Sequence, residues 1–126
     1  MKSRQAVYLN VFKIKLPLAG MVSLFHRITG IILVLSIPFA LNLLALSLKD
    51  EAGFHQAISL LDAPLFVFFE IILFALLIYH LFAGVRFLLM DLEIGLSKES
   101  AKLSSWIVII ATTLSTLIFT VCRSLS

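Results

Sequence analysis

The apolar residues of this chain fall into three long runs separated by short polar segments. No charged residue occurs between positions 28 and 48 or between positions 103 and 122, and the middle run, 63–91, carries only a few ionisable groups. At about 1.5 Å per helical residue, runs of this length cover the roughly 30 Å hydrocarbon core of a bilayer. The pattern therefore predicts an all-α membrane protein that crosses the bilayer three times.

Prolines mark the beginnings of the first two spans. Pro17 suits the start of a helix, so span one is predicted at about 18–48, with a kink where Pro38 interrupts the backbone hydrogen bonds. Pro64 suits the first turn of the next helix, so span two is predicted at about 63–91.

The polar segments supply the remaining boundaries. Residues 49–62 form a connecting loop in which 53–57 predict a brief surface helix, and Asp62 is expected to cap span two. Gly95 is expected to stop span two, and Ser97 to cap the following helix. The single membrane domain is completed by an arm at 1–17, a second loop at 92–102, span three at about 103–122 and a tail at 123–126.

Composition excludes a water-soluble domain. Of the 126 residues, 61% are hydrophobic and 13% charged, whereas soluble domains carry about a quarter charged residues. The net charge of +3 does not indicate nucleic-acid binding, because the cations lie at the ends of the apolar runs without interleaved aromatic residues. The single cysteine, Cys122, excludes an intrachain disulfide.

The distribution of cations predicts the orientation in the membrane. One side of the bundle has six cations, and the other has two. The first group is Lys2, Arg4, Lys13, Lys15, Lys98 and Lys102, and the second is Lys49 and Arg123. By the positive-inside rule, the amino terminus and the second loop are cytoplasmic.

Span one carries polar residues near its predicted cytoplasmic end. Ser23, His26, Arg27 and Gly30 follow helical spacing and are expected on one face. Ionisable residues within a span indicate a functional site by default, because inserting them costs a few kcal/mol. The alternative is that Arg27 extends its side chain to the lipid head groups, which does not require the other three residues.

Span two carries a histidine near its middle. His80 offers a neutral imidazole nitrogen to iron, and Gly84, one turn later, leaves room for a flat porphyrin. The alternative is a histidine that hydrogen-bonds to a neighbouring helix. Because no second histidine lies at mid-span, a six-coordinate haem would take its other ligand from another chain.

Two further ionisable residues lie in span two. Arg86, which shares a stripe with Tyr79, is expected to reach phosphates, propionates or Asp91, although most such arginines are interfacial anchors. Glu70 lies near the opposite end of the span, where pairing or neutralisation is favoured over proton handling.

Two segments resemble the cytochrome b membrane-anchor subunit of succinate dehydrogenase. Residues 23–30 resemble the family's Ser-x-x-His-Arg-x-(Thr/Ser)-Gly element, and residues 79–91 resemble its His-x-x-x-Gly-x-Arg-His element followed by Asp. The likeness covers nearly the whole chain. It departs at Gln5, where the family often has proline after arginine, and at Phe87, where the family usually has histidine.

This resemblance implies a set of partners and cofactors. It implies half of a heterodimeric bundle in the bacterial cytoplasmic membrane, with a second small anchor subunit and with iron–sulfur and flavoprotein subunits on the cytoplasmic face. His80 would be one axial ligand of haem b, the partner anchor would supply the other histidine, and Gly84 would pack against the haem. The positions of Ser23 and Arg27 would contact ubiquinone, and His26, Arg27 and Arg86 would lie near the haem propionates.

Two alternatives remain open from sequence. One is an anchor of a fumarate reductase or another respiratory cytochrome b complex. The other is a haem-free packing subunit of a transporter or an assembly factor. The chain lacks a dinucleotide-binding glycine pattern, so succinate oxidation by this chain alone is not expected.

Overall fold

The structure, a computed structural model, describes residues 17–125, and the predicted roles of the arm residues before Pro17 lie outside that range. Its helices are α1 (Leu18–Ser47), α2 (Glu51–Leu61), α3 (Pro64–Asp91) and α4 (Lys98–Leu125). Helices α1, α3 and α4 are each long and apolar enough to cross a membrane. The prediction of an all-α membrane protein with three spans is therefore confirmed.

Helix α1 begins directly after Pro17, as predicted. Pro17 is the extended residue before the helix, with φ −62° and ψ 155°, and its carbonyl accepts hydrogen bonds from the amides of Gly20 and Met21. Pro38 lies inside α1 without ending it. The side chain of Asn42 donates to the carbonyl of Pro38 at 2.8 Å, one turn after the residue that lacks a backbone amide hydrogen.

The first connection contains a longer helix than the sequence suggested. Helix α2 starts after Asp50, whose carboxylate accepts from the amide of Gly53 at 2.6 Å as an N-cap. Gly53 lies against the carbonyl oxygen of Leu46, where a Cβ atom would collide. A glycine at this position therefore lets α2 fold back against the end of α1.

The expected cap of α3 was wrong. Ala63 precedes the helix, no side chain caps it, and Pro64 occupies its first turn. Asp62 instead ends α2, and its carboxylate accepts a hydrogen bond from Arg123 at 2.8 Å. The carboxylate that the sequence predicts as a cap for an amide of α3 therefore pairs with a guanidinium of α4.

The turn between α3 and α4 corrects a second expectation. The amide of Ile94 donates to the carbonyl of Leu89 and that of Glu93 to Met90, both at 3.0 Å, which defines a Schellman motif. Glu93, with φ +62°, occupies the left-handed position at the end of α3, where the sequence predicts Gly95 as the stop. Gly95, with φ +78°, shapes the following turn.

Ser97 behaves as the predicted cap of the last helix. Its hydroxyl accepts from the amide of Ser100 at 3.1 Å. Helix α4 begins at Lys98 and continues to Leu125, so it extends beyond both limits of the predicted span at 103–122.

Helix α3 packs against both α1 and α4 and organises the bundle. The buried apolar residues at its centre are few and small to medium in size: Val22, Ala83 and Val108, flanked by Tyr79, Phe82 and Phe87. Large apolar side chains elsewhere are exposed; Phe39, for example, is 78% exposed. Such surfaces suit lipid or another membrane chain, because neither imposes the cost of exposing apolar groups to water.

Candidate functional site

Helices α1 and α3 contact each other through two histidine–glycine pairs with the same spacing. His26 and Gly30 lie one turn apart on α1, and His80 and Gly84 lie one turn apart on α3. A Cβ atom on Gly30 would lie 2.9 Å from Cε1 of His80, and one on Gly84 would lie 3.4 Å from Nε2 of His26. Each imidazole therefore occupies space that the glycine of the opposite helix leaves open.

The two imidazole rings stack on each other. The ring centroids of His26 and His80 are 4.1 Å apart and the planes differ by 11°. Phe87 packs its edge against His26, with centroids 5.2 Å apart and planes at 62°. The phenylalanine that departs from the family pattern thus contacts the site through an apolar ring.

Hydrogen bonds define the protonation of His80. Its Nδ1 lies 3.1 Å from the backbone carbonyl oxygen of His26 and 3.2 Å from Oγ1 of Thr29. Since a carbonyl oxygen can only accept, we assign the proton to Nδ1, which leaves the lone pair of Nε2 free. Thr29 is buried, and its hydroxyl donates to the same His26 carbonyl at 2.9 Å.

The arrangement fits a haem ligand. Among residues 17–125, no three His, Cys, Asp or Glu side chains come together to hold a metal ion. With the proton on Nδ1, His80 offers the Nε2 lone pair as one nitrogen donor, and imidazole nitrogen is an established ligand of haem iron.

The polar residues predicted to share one face of α1 lie in different surroundings. His26 turns toward α3, whereas Arg27 is exposed and Ser23 is half-buried. Arg27 forms no hydrogen bond or ion pair with other residues between positions 17 and 125. It borders a shallow depression on α1 that is otherwise lined by Gly30, Ile31, Val34 and Leu35. This surface presents a guanidinium at one end of an apolar strip.

Arg86 does not reach Asp91 in the described part of the chain. It is 5% exposed, and it donates from Nε to the hydroxyl of Ser104 at 2.9 Å and from Nη2 to the carbonyl of Ala101 at 3.3 Å. Its Nη1 is buried without a partner among the described residues, and Cζ lies 5.2 Å from the ring centroid of Phe87. Arg86 thus links α3 to α4, and its Nη1 group can donate a further hydrogen bond.

The opposite end of the bundle holds an ion-pair cluster. Nε of Arg123 donates to Glu70 at 3.1 Å, and Nη2 donates to Asp62 at 2.8 Å and to the carbonyl of Leu61 at 3.1 Å. The expectation that Glu70 is paired is confirmed. The cluster ties the end of α4 to the junction of α2 and α3, far from the stacked imidazoles.

Three helices long and apolar enough to cross a membrane, with a stacked imidazole pair between two of them, define a multi-pass helical membrane protein with a polar site within its spans. Residues 1–119 match the model of the family described as succinate dehydrogenase/fumarate reductase transmembrane subunit. The chain belongs to this family.

Curated relatives agree with this assignment. The chain is 38% identical over 109 residues to the succinate dehydrogenase cytochrome b560 subunit of Reclinomonas americana, covering 82% of this chain and 76% of the relative. It is 29% identical over 111 residues to the succinate dehydrogenase cytochrome b556 subunit of Coxiella burnetii (strain RSA 493 / Nine Mile phase I), covering 87% and 89%. The resemblance to the succinate dehydrogenase anchor is confirmed.

Sequence reasoning missed two contributors to the site. Thr29 lies inside the 23–30 segment but was not singled out, although its place three residues after His26 puts it on a neighbouring face. Gly30 was recognised only as part of a polar stripe, and its contact with His80 depends on how α1 and α3 cross.

Proposed function

We propose that the chain is the haem b-binding membrane anchor of a succinate:quinone oxidoreductase and helps to form its quinone-reduction site. The observation that carries the proposal is the hydrogen bonding of His80, whose Nδ1 is held by two acceptors on α1. These hydrogen bonds also join α3 to α1, and they leave Nε2 unprotonated, as an iron ligand requires.

Several residues around His80 would each contact a different part of a bound haem. His80 would supply one nitrogen ligand to the haem iron, a histidine of a second anchor subunit would supply another, and Gly84 would leave room beside the haem. His26, Arg27 and Arg86 would bind the propionates, and Nη1 of Arg86, which has no hydrogen-bond partner among residues 17–125, is the available donor on that residue. When bound, haem b supplies a centre that accepts and returns one electron beside the quinone.

Ser23 and Arg27 form this chain's part of the quinone site. A quinone carbonyl gains negative charge as electrons arrive, and a nearby hydroxyl and guanidinium stabilise that charge. Arg27 is suited to this role because it is exposed beside an apolar strip that would accept the isoprenoid portion of ubiquinone. Ser23 lies one turn before it on the same helix.

The remaining assembly follows from the family. The second anchor subunit covers part of the exposed apolar surface, and the iron–sulfur and flavoprotein subunits dock on the cytoplasmic side. We place the chain in the bacterial inner membrane with its amino terminus in the cytoplasm, because Lys98 and Lys102 of α4 add to the cations of the arm on that side.

The ligand assignment is tested with His80→Ala in the purified complex. We expect the reduced-minus-oxidised spectrum to lose or alter its b-type band. His55→Ala is the matched control, because His55 is an exposed histidine on α2. An unchanged band in His80→Ala would refute the ligand assignment.

The quinone assignment is tested separately with Arg27→Ala. We expect succinate:quinone reductase activity to fall while reduction of a water-soluble acceptor by the soluble subunits continues. Lys102→Ala is the control, since it also removes an exposed cation. Wild-type activity and quinone affinity in Arg27→Ala would exclude this site.

A fumarate reductase anchor is the second candidate, because the description of the matched family includes both enzymes. The two directions share the same anchor chemistry. Identifying the copurifying subunits and measuring succinate oxidation against fumarate reduction with native quinone separates them.

A further inference from the structure

Thr29 contacts the same imidazole nitrogen as the His26 carbonyl. We propose that Thr29 is a positioning residue that sets the orientation of His80 and, through it, the reduction potential of the bound haem. The inference rests on the proposed role of His80 as an iron ligand. Thr29 itself touches neither iron nor quinone in this proposal, and it acts only through the Nδ1 proton of His80.

The direction of the Thr29–His26 hydrogen bond makes the threonine oxygen an acceptor toward His80. The threonine hydroxyl has one proton, and that proton is donated to the His26 carbonyl at 2.9 Å. The oxygen therefore presents lone pairs to Nδ1 of His80 at 3.2 Å. Because Thr29 is only 3% exposed, water does not compete for these lone pairs.

The backbone carbonyl of His26 is an acceptor that His80 shares with other donors. In an α-helix, this carbonyl also accepts from the amide four residues later, which is that of Gly30. With the Thr29 hydroxyl and His80, three donors therefore approach an oxygen that has two lone pairs. The oxygen of Thr29 offers the Nδ1 proton a second acceptor, so the ring is fixed from two directions.

This pair of acceptors changes the electronic character of Nε2. A hydrogen bond accepted from one ring nitrogen makes the other nitrogen a stronger electron donor. A stronger donor favours the more positively charged ferric iron over the ferrous iron and lowers the reduction potential. Removing the Thr29 acceptor should therefore raise the haem potential and weaken haem retention.

The experiment compares Thr29→Val and Thr29→Ser in the purified complex. Valine keeps the shape of threonine without the hydroxyl, and serine keeps the hydroxyl without the methyl. For Thr29→Val we expect about a tenfold loss of ferric-over-ferrous preference, equivalent to about 59 mV in a one-electron titration. We also expect roughly tenfold weaker haem retention during detergent washing. Thr29→Ser should retain the wild-type potential.

Thr116→Val is the control, because among residues 17–125 the Thr116 hydroxyl bonds only to the carbonyl of Thr112 within α4. It should leave the potential unchanged. An unchanged potential in Thr29→Val would overturn the inference, as would a shift in Thr29→Ser alone, which would indicate a packing role. If His80→Ala retained the wild-type haem band, the proposed function itself would fail, and that result is distinct from either outcome at Thr29.

Discussion

A single methyl group added at Gly30 should displace the proposed haem ligand. In Gly30→Ala, the new Cβ would lie 2.9 Å from Cε1 of His80, whereas nonbonded carbon atoms settle at about 3.5–4.0 Å. The obstructing atom belongs to a rigid ring and not to the end of a flexible side chain. His80 therefore has to rotate away, or α1 and α3 have to separate.

The cost of that displacement is worked from the same geometry. Overpacking of this kind costs about 1–3 kcal/mol. Retreat of the ring also weakens the bonds from Nδ1 to Thr29 and to the His26 carbonyl, which adds to the penalty. If the packing cost alone is subtracted from the free energy of haem binding, the affinity of the complex for haem falls roughly 5- to 150-fold.

The assay is haem content per assembled complex, with the reduced-minus-oxidised spectrum of the same sample. Ala40→Val is a suitable control, because it adds carbon at an exposed position of α1. Wild-type haem content and spectrum in Gly30→Ala would refute the proposed packing of His80 against Gly30. Assembly measured by copurification of the soluble subunits distinguishes loss of haem from loss of the anchor.

Gly84→Ala asks a different question. Among residues 17–125 its Cβ would meet only Nε2 of His26, at 3.4 Å, a tight contact that a small shift of the ring relieves. We therefore expect the anchor to fold and assemble. If Gly84 packs against the porphyrin as proposed, the assembled complex will nevertheless lose haem, and full haem content would exclude that role.

Three further predictions concern the stability of the bundle. Arg86→Ala should destabilise the protein by about 2 kcal/mol in detergent unfolding, because it removes charge-assisted bonds to α4. Ser104→Ala should also lower stability, because Nε of Arg86 loses its acceptor. Wild-type unfolding of both variants would contradict the proposed link between α3 and α4. Glu93→Gly should raise stability by up to about 1 kcal/mol, because glycine adopts φ +62° without steric cost, and a lower unfolding midpoint would contradict this. In double-mutant cycles, Arg123 should couple more strongly to Glu70 than to Asp62. The Glu70 side chain is 34% exposed and that of Asp62 63%, so water screens the Glu70 pair less. The reverse order of coupling energies would contradict this argument.

Local signals predicted the spans and several of their ends correctly. Pro17 and Pro64 begin helices, and Ser97 caps α4, because each effect depends on one residue and its own backbone. The same reasoning failed at Asp62 and Gly95. Asp62 binds a guanidinium from a distant part of the chain. The left-handed position falls on Glu93, where the hydrogen bonds of the Schellman motif end α3 two residues before Gly95.

The sequence by itself determined that the protein spans the membrane three times and which few polar residues enter the bilayer. Both conclusions follow from the cost of transferring each residue into hydrocarbon, a property that does not depend on the neighbouring helices. It also supplied the family through two spaced motifs, and comparison confirmed it.

Only the tertiary structure determined which polar residues face the neighbouring helix and which remain exposed. His26 turns toward α3 while Arg27 remains exposed, Gly30 makes room for His80, and the Thr29 hydroxyl lies within hydrogen-bond distance of Nδ1 of His80. Helical spacing gives the angular position of each residue on its own helix, but the crossing of two helices determines which of those positions meet. The orientation of the proposed iron ligand is therefore a property of the α1–α3 contact.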